Sequence, residues 1–335
     1  MCFLNIRMAG IDYSMAGIDV RARFSLTRSR QEEVYAFLRG RDDILGAVVI
    51  TTCNRTEIFL SCAQGDERDP FDLLCAALGE DPGAYTALHR ARAGREAYWH
   101  LCRLACGAKS QIWGEDQIIT QVKNAAAAAR ECGAIDSYLE VLFRSAITAA
   151  KKIKTEVKFP RNGNSVADKA LSIMDGRENR PQRVMVIGNG EVGRLVAETL
   201  NSAGYEVHMT LRQYRHGEIE VAPGVRTLDY AERYACMSGF DAVVSATLSP
   251  HYTLDRERFA ALETKPELLI DLAVPRDIDP SIAELPGITL FDVDTLGGDS
   301  LRGDRDRLMK EIDGFIEKYY ADFLKWLHYK ETGAV

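Results

Sequence analysis

The sequence predicts a multidomain α/β protein. An α+β domain is expected over residues 1–160, a domain of alternating strands and helices over 161–298, and a long C-terminal helix over 299–335. Three observations point there. At 335 residues the chain is longer than one hydrophobic core usually supports. The stretch Phe159-Pro160-Arg161-Asn162-Gly163-Asn164 interrupts a helical pattern with the residues typical of a linker. From residue 183 onward, continuous apolar strands alternate with amphipathic helices, the pattern of a parallel sheet covered on both faces. With 46% hydrophobic and 27% charged residues, disordered, collagen-like and coiled-coil architectures are excluded.

Residues 3–11 read as a strand, 28–39 as a helix, and 47–62 as two apolar strands separated by the polar turn Thr51-Thr52-Cys53-Asn54-Arg55. Helical periodicity follows at 70–78, 94–106, 117–131 and 136–158. Beyond the linker, Val184 to Ile187 is a strand, 191–203 a helix, and 205–210, 241–246 and 268–273 are further strands. Residues 301–329 form one helix, with Leu308, Ile312, Phe315, Ile316, Tyr319, Phe323, Leu324 and Leu327 near helical spacing. Its inner part is expected to pack as a spine on both domains, leaving Phe323, Trp326, Leu327 and Tyr329 exposed.

Charge divides unevenly: 21 Lys and Arg stand against 20 Asp and Glu in residues 1–160, and 21 against 29 in the remainder. A polyanion should therefore meet the first part. There, Arg144, Lys151, Lys152, Lys154 and Lys158 form either a phosphate-touching cluster or an ordinary solvated helix face. No apolar run approaches the ~18 residues of a membrane span, and Met1 to Arg7 lack a signal-peptide pattern, so a cytoplasmic protein is expected. The eight cysteines contain no CxxC pair, which makes a disulfide framework improbable.

Gly188-Asn189-Gly190-Glu191-Val192-Gly193 is a GxGxxG run placed directly between a strand and a helix, the context of a Rossmann-type dinucleotide site. A glycine-rich turn in an empty domain is the alternative. An NAD site would place an acidic residue at the end of the next strand to accept from the ribose 2′-hydroxyl. Here that end reads Thr210-Leu211-Arg212-Gln213-Tyr214-Arg215, so Arg212, with Arg215, favours the 2′-phosphate of NADPH over a reading of both as loop charges.

Cys53 lies at a strand end beside Arg55, whose charge would lower a thiol pKa near 8.5. It reads either as a nucleophile or as a buried core thiol. His100, on the 94–106 helix, is a candidate acid–base group or a structural histidine. Cys102 and Cys106, four apart, suit a packed core better than a metal site, for no second pair completes a ligand set.

Four stretches resemble the glutamyl-tRNA reductase family, which opens tetrapyrrole synthesis. They are Thr51-Thr52-Cys53-Asn54-Arg55-Thr56-Glu57; Trp99-His100-Leu101 leading to Ser110 and Gly114-Glu115-Asp116-Gln117-Ile118-Ile119-Thr120-Gln121-Val122-Lys123; the glycine fingerprint; and Asp271-Leu272-Ala273-Val274-Pro275-Arg276-Asp277-Ile278-Asp279. The resemblance implies that Cys53 captures glutamate from glutamyl-tRNA as a thioester, which NADPH reduces to glutamate-1-semialdehyde. It also implies that Thr52, Asn54, Arg55, Ser110, Glu115, Asp116, Gln117 and Gln121 recognise the glutamyl group, with Arg55 on its carboxylate, and that His100 is needed for full activity. A glutamate-1-semialdehyde aminotransferase is a candidate partner. Two rivals are a reductase of another acyl donor and a non-catalytic tRNA- or haem-linked regulator. The family usually reads Asn-His-Lys-Thr-Ala-Pro where this chain has Asp12-Tyr13-Ser14-Met15-Ala16-Gly17, and it continues past the long helix into a dimerisation domain. The sequence here stops a few residues after Trp326, so a monomer or weak homodimer is expected.

Overall fold

A computed structural model describes residues 5–63, 65, 67–159, 165–212, 221–296 and 302–333. Linker residues 160–164 and Arg215 lie outside the described residues. The first half begins with strand β1 (Asn5–Asp12), helices α1 (Ile18–Arg23) and α2 (Arg28–Arg39), and strands β2 (Ile44–Thr52) and β3 (Arg55–Cys62). It continues through α3 (Pro70–Leu78), β4 (Arg90–Ala93), α4 (Gly94–Ala105), α5 (Gln117–Glu131) and α6 (Ser137–Glu156). After it come α7 (Val166–Asp175), β5 (Arg183–Ile187), α8 (Glu191–Ser202), β6 (Glu206–Leu211), β7 (Arg226–Asp229), α9 (Arg233–Met237), β8 (Ala242–Ser245), α10 (Arg256–Ala260), β9 (Leu268–Asp271), β10 (Thr289–Asp292) and α11 (Arg302–Thr332). These fall into two units, Met1–Arg161 with Asp299–Val335, and Asn162–Gly298.

In the first unit an antiparallel sheet runs β2-β3-β1-β4. Its central strand β3 is buried along its whole length. Strands β2 and β3 form a hairpin whose last ladder pair is Thr52 with Arg55, so Cys53 and Asn54 are the two turn residues. Across β1, Asp12 stands opposite Arg55 and Gly10 opposite Glu57. A Cβ on Gly10 would lie 2.7 Å from Glu57 Cγ, so the missing side chain makes room for a carboxylate inside the sheet. Edge strand β4, Arg-Ala-Arg-Ala, carries no β-branched or aromatic residue and no strand signal in sequence.

Helix α11 packs on α4 and α6. Contrary to expectation, its C-terminal part is covered: Phe323 and Leu327 are buried, Trp326 is half-buried, and only Tyr329 of the four is exposed. Aromatic fit explains this. Phe323 stacks on Tyr98 at 5.2 Å between ring centres, and Trp326 meets Tyr138 edge-on at 5.9 Å. A bidentate pair between Arg103 and Asp313 (2.9 and 2.6 Å) fixes the register.

The second unit is a six-stranded parallel sheet in the order β10-β9-β8-β5-β6-β7. That order is the doubly wound 3-2-1-4-5-6 arrangement, with its switch point between β5 and β8. At the end of β9, buried Asp271 accepts from the backbone N–H groups of Ala273, Asp277 and Ile278 at 2.9–3.0 Å. Asp277 binds Ser245 Oγ and Thr247, so the Asp271–Asp279 stretch is a hydrogen-bonded brace for these strand ends. Burial pushes the Asp271 carboxyl up to about 7.

Candidate active site

Arg55 and Glu57 are two apart on β3 and point to one face of the sheet. Both are 2% exposed, an unusual fate for charged side chains and one that demands pairing. Arg55 Nη1 donates to Glu57 at 2.7 Å and lies 3.7 Å from Asp12, while Nη2 donates to the Lys109 carbonyl at 2.5 Å. The other side of Glu57 meets His100 of α4, whose Nε2 is 2.9 Å from each carboxylate oxygen. An ionised carboxylate only accepts, so Nε2 carries the proton. The charges of His100 and Arg55 outweigh burial and hold Glu57 down at about 2.

Beside this chain sits the hairpin turn. Thr52 Oγ1 accepts from Asn54 N at 3.2 Å, and Tyr13 N donates to Asn54 O at 2.9 Å. Tyr13 also reaches Ser110, its hydroxyl donating to the Ser110 carbonyl at 3.4 Å. Cys53 is half-buried. Burial, reinforced by the charge of Glu115, pushes its thiol up to about 12, against the opposing pull of Arg21 and Arg55. Arg55 does pull the thiol in the expected direction, but burial and Glu115 outweigh it, so the net shift is upward.

Three residues singled out in sequence each hold a buried polar atom with no hydrogen-bond partner: Asn54 Oδ1, His100 Nδ1 and Ser110 Oγ. An orphaned buried polar group costs about 1–3 kcal/mol, so three at one place require an explanation, and a polar ligand supplies one.

The other candidates are placed differently. Glu115 is half-buried and its carboxyl is pushed up to about 7 by burial. Asp116 is exposed and pairs with Lys154 at 2.5 Å. Gln117 and Gln121 lie one turn apart on α5, both half-buried. Lys154 also donates to the Gly114 and Glu115 carbonyls, and Lys152 pairs with Glu156, so two of the five cations of the Arg144–Lys158 cluster are structural or internally neutralised. Asp12, Tyr13, Glu57 and Lys109 also belong to the site; in sequence Asp12 and Tyr13 mark only a departure from the family pattern, Glu57 is only the end of the Thr51–Glu57 stretch, and Lys109 carries no signal. Only the alternation of β3 placed Glu57 on the face of Arg55.

In the second unit, Gly188 and Asn189 form the turn after β5, Gly190 caps α8, and Glu191 and Val192 open it. A side chain on Gly190 would meet nothing within 4 Å, so open space lies before the helix N-terminus, as a pyrophosphate requires. A Cβ on Gly193 would lie 2.1 Å from the Gly188 carbonyl oxygen. Gly193→Ala should therefore push α8 off the loop, lower the unit's stability by about 1–3 kcal/mol and abolish dinucleotide binding. Thermal melts with and without NADPH test this, and an unaltered ligand-induced shift would refute it. Arg212, exposed just after β6, lies 4.4 Å over the Tyr230 ring. The residues present thus suit a dinucleotide.

Residues 9–157 match the family model for the glutamyl-tRNA(Glu) reductase N-terminal domain, and residues 168–298 match that for shikimate/quinate 5-dehydrogenase. The chain is 50% identical to glutamyl-tRNA reductase of Alkaliphilus oremlandii over 329 residues, covering 98% of each chain. It is 47% identical to that of Acetivibrio thermocellus, again over 98% of each. Among solved structures it resembles glutamyl-tRNA reductase from Methanopyrus kandleri, with 27% identity, a TM-score of 0.49, and coverage of 98% of this chain and 81% of that one.

Proposed function

The chain belongs to the glutamyl-tRNA reductase family, and on that premise we propose that it reduces glutamyl-tRNA(Glu) to glutamate-1-semialdehyde, the first step of tetrapyrrole synthesis. The reading is carried by the three orphaned atoms of Asn54, His100 and Ser110, residues tied to the Cys53 turn through Tyr13 and through the Arg55–Glu57–His100 chain. The Cys53 sulfur, once deprotonated, attacks the ester carbonyl carbon. The carbon–oxygen bond to the tRNA ribose breaks, and a proton returns to that oxygen. His100 is our choice for handling this proton through Nδ1, its Nε2 being held by Glu57. Asn54 and Ser110 hydrogen-bond the glutamyl group, and Thr52 braces the turn. Arg55, a five-donor guanidinium with two donors engaged, turns others to the substrate carboxylate. Glu115, Gln117 and Gln121 complete the glutamyl pocket.

Gly188, Gly190 and Gly193, with the N-terminus of α8, would hold a nicotinamide dinucleotide, which when bound would supply the hydride that reduction of a thioester to an aldehyde requires. The cofactor is NADPH by our reading, because Arg212 stands where an acidic residue would repel a 2′-phosphate. Arg212→Asp should narrow the NADPH preference by about tenfold or more, the loss of one charge-assisted phosphate contact. Equal kcat/KM for both cofactors in the wild type would remove the assignment. A charged tRNA substrate makes the reaction cytoplasmic, and the reactive aldehyde suits transfer to an aminotransferase. With the apolar stripe of α11 covered within its own unit, we read the protein as a monomer or weak dimer. Incubation with glutamyl-tRNA and NADPH, followed by detection of glutamate-1-semialdehyde, tests the whole reading.

A further inference from the structure

On the first unit, a cleft of about 420 Å³ lies between β4, α4 and the loop after α4. It is within the size range of small-ligand pockets, about 300–1,000 Å³. Its wall includes Arg92, Arg95, Trp99, His100, Arg103 and Lys109. Among the described residues of this wall Glu96 is the single carboxylate. Arg95 and Arg103 are neutralised by Glu317 and Asp313 of α11. Arg92 and Lys109 are not: among the described residues neither has a carboxylate within ion-pair distance, and Arg92 makes only a 3.7 Å contact to Met8 Sδ.

Like charges brought together without a counter-ion destabilise a fold. Burial, followed by the charges of Arg103 and Arg92, lowers the Lys109 pKa, with only Asp12 opposing among the stronger influences. An anion in the cleft would relieve this. Arg95 lies 4.3 Å over the Trp99 indole, making a flat cationic platform on which an unpaired base can stack. His100 connects the cleft to the chemistry, since it forms part of the wall and also binds Glu57.

The geometry points to this cleft as the seat of the single-stranded 3′ end of the tRNA, with Arg92 and Lys109 on its phosphates and the Arg95–Trp99 platform under a base. The inference rests on the proposed substrate. The cleft lies in the half of the chain where the charge balance places a polyanion, and it takes the contact instead of the Arg144–Lys158 cluster, in which Lys152 and Lys154 already have partners.

The test measures binding by the full-length protein of uncharged tRNA(Glu) and of an acceptor-stem hairpin with and without its unpaired 3′ nucleotides, over a range of salt. Arg92→Ala/Lys109→Ala should weaken tRNA binding by about tenfold or more and reduce the log–log salt slope by about two, one per phosphate contact. Removing the unpaired nucleotides should weaken wild-type binding by a similar factor and barely affect the double variant. Its thermal midpoint should hold or rise, because repulsion has been relieved; a purely structural role would lower it. Wild-type affinity and slope in the double variant would overturn the inference, as would additive losses from variant and truncation. A slope that falls instead in Arg144→Ala/Lys151→Ala/Lys158→Ala would return the polyanion to α6. Binding is read without turnover. A wild type that binds tRNA in this way but never acylates Cys53 would sink the proposed reductase activity and leave the cleft standing.

Discussion

Cys53→Ser should lower glutamate-1-semialdehyde formation by about four orders of magnitude or more and abolish covalent glutamyl label, while tRNA binding stays near wild type. The serine hydroxyl is nearly isosteric but far harder to ionise, so what is lost is the nucleophile and not the fold. The unmodified thiol should itself show its environment. With its pKa raised to about 12 by burial and by Glu115, Cys53 is almost wholly protonated at neutral pH and should react with iodoacetamide more slowly than a free thiol of pKa near 8.5. The thiolate is the reactive form, so alkylation should climb with pH well beyond 8.5 without levelling off. Glutamyl label on the wild type, formed from charged tRNA without NADPH and mapped to another cysteine, would mean that the wrong thiol has been chosen. A plateau in alkylation near pH 8 would show that burial does not govern Cys53.

What the sequence made legible follows the distance over which each feature is encoded. The glycine fingerprint is local: strand, turn and helix are contiguous from Arg183 to Ser202, and each glycine does its work within a few residues. The Cys53 turn is local too, since Thr52 and Arg55 close a two-residue loop. Glu57 looked like one more polar residue in an apolar strand. Its importance comes from His100, 43 residues away, and from the side chain that Gly10 lacks on a neighbouring strand. The cationic cleft was hidden similarly, because Arg92 sits on a strand with no strand-forming residues and Lys109 in a loop. The basic residues visible in sequence were the regularly spaced ones on α6, and spacing says nothing of partners: Lys154 proved to clamp a loop. The cover over the end of α11 is equally non-local, as Tyr98 and Tyr138, which meet Phe323 and Trp326, lie far away in sequence.

Glu57→Gln should be the most damaging change to the fold of the first unit. Among the described residues the carboxylate is the closest counter-charge to buried Arg55 and the only group bonded to His100 Nε2. Replacing it leaves a buried guanidinium with Asp12 at 3.7 Å as its remaining anion, a loss of about 3–5 kcal/mol by the usual cost of breaking a buried pair. A glutamine amide can still accept through its one oxygen, but it carries no charge and brings an NH2 donor to a site already facing the donors of Arg55 and His100. The pH dependence carries a definite sign. Because the folded protein holds Glu57 near 2, below the 4.5 of a free glutamate, its contribution is fully present above about 4.5. It is lost as pH falls through that value toward about 2. Wild-type stability in urea should therefore decline more steeply than that of Glu57→Gln between pH 4.5 and the lowest pH at which the fold persists, and the two curves should converge. Parallel curves across that range would mean that Glu57 is not ionised by its partners. A variant with wild-type stability at pH 7 would show that Asp12 alone suffices for Arg55. The same substitution frees the His100 ring to turn and to exchange its protonated nitrogen, so activity should fall even at temperatures where the variant stays folded. His100→Asn, which leaves the Arg55–Glu57 pair intact, should reproduce the loss of activity with a smaller loss of stability.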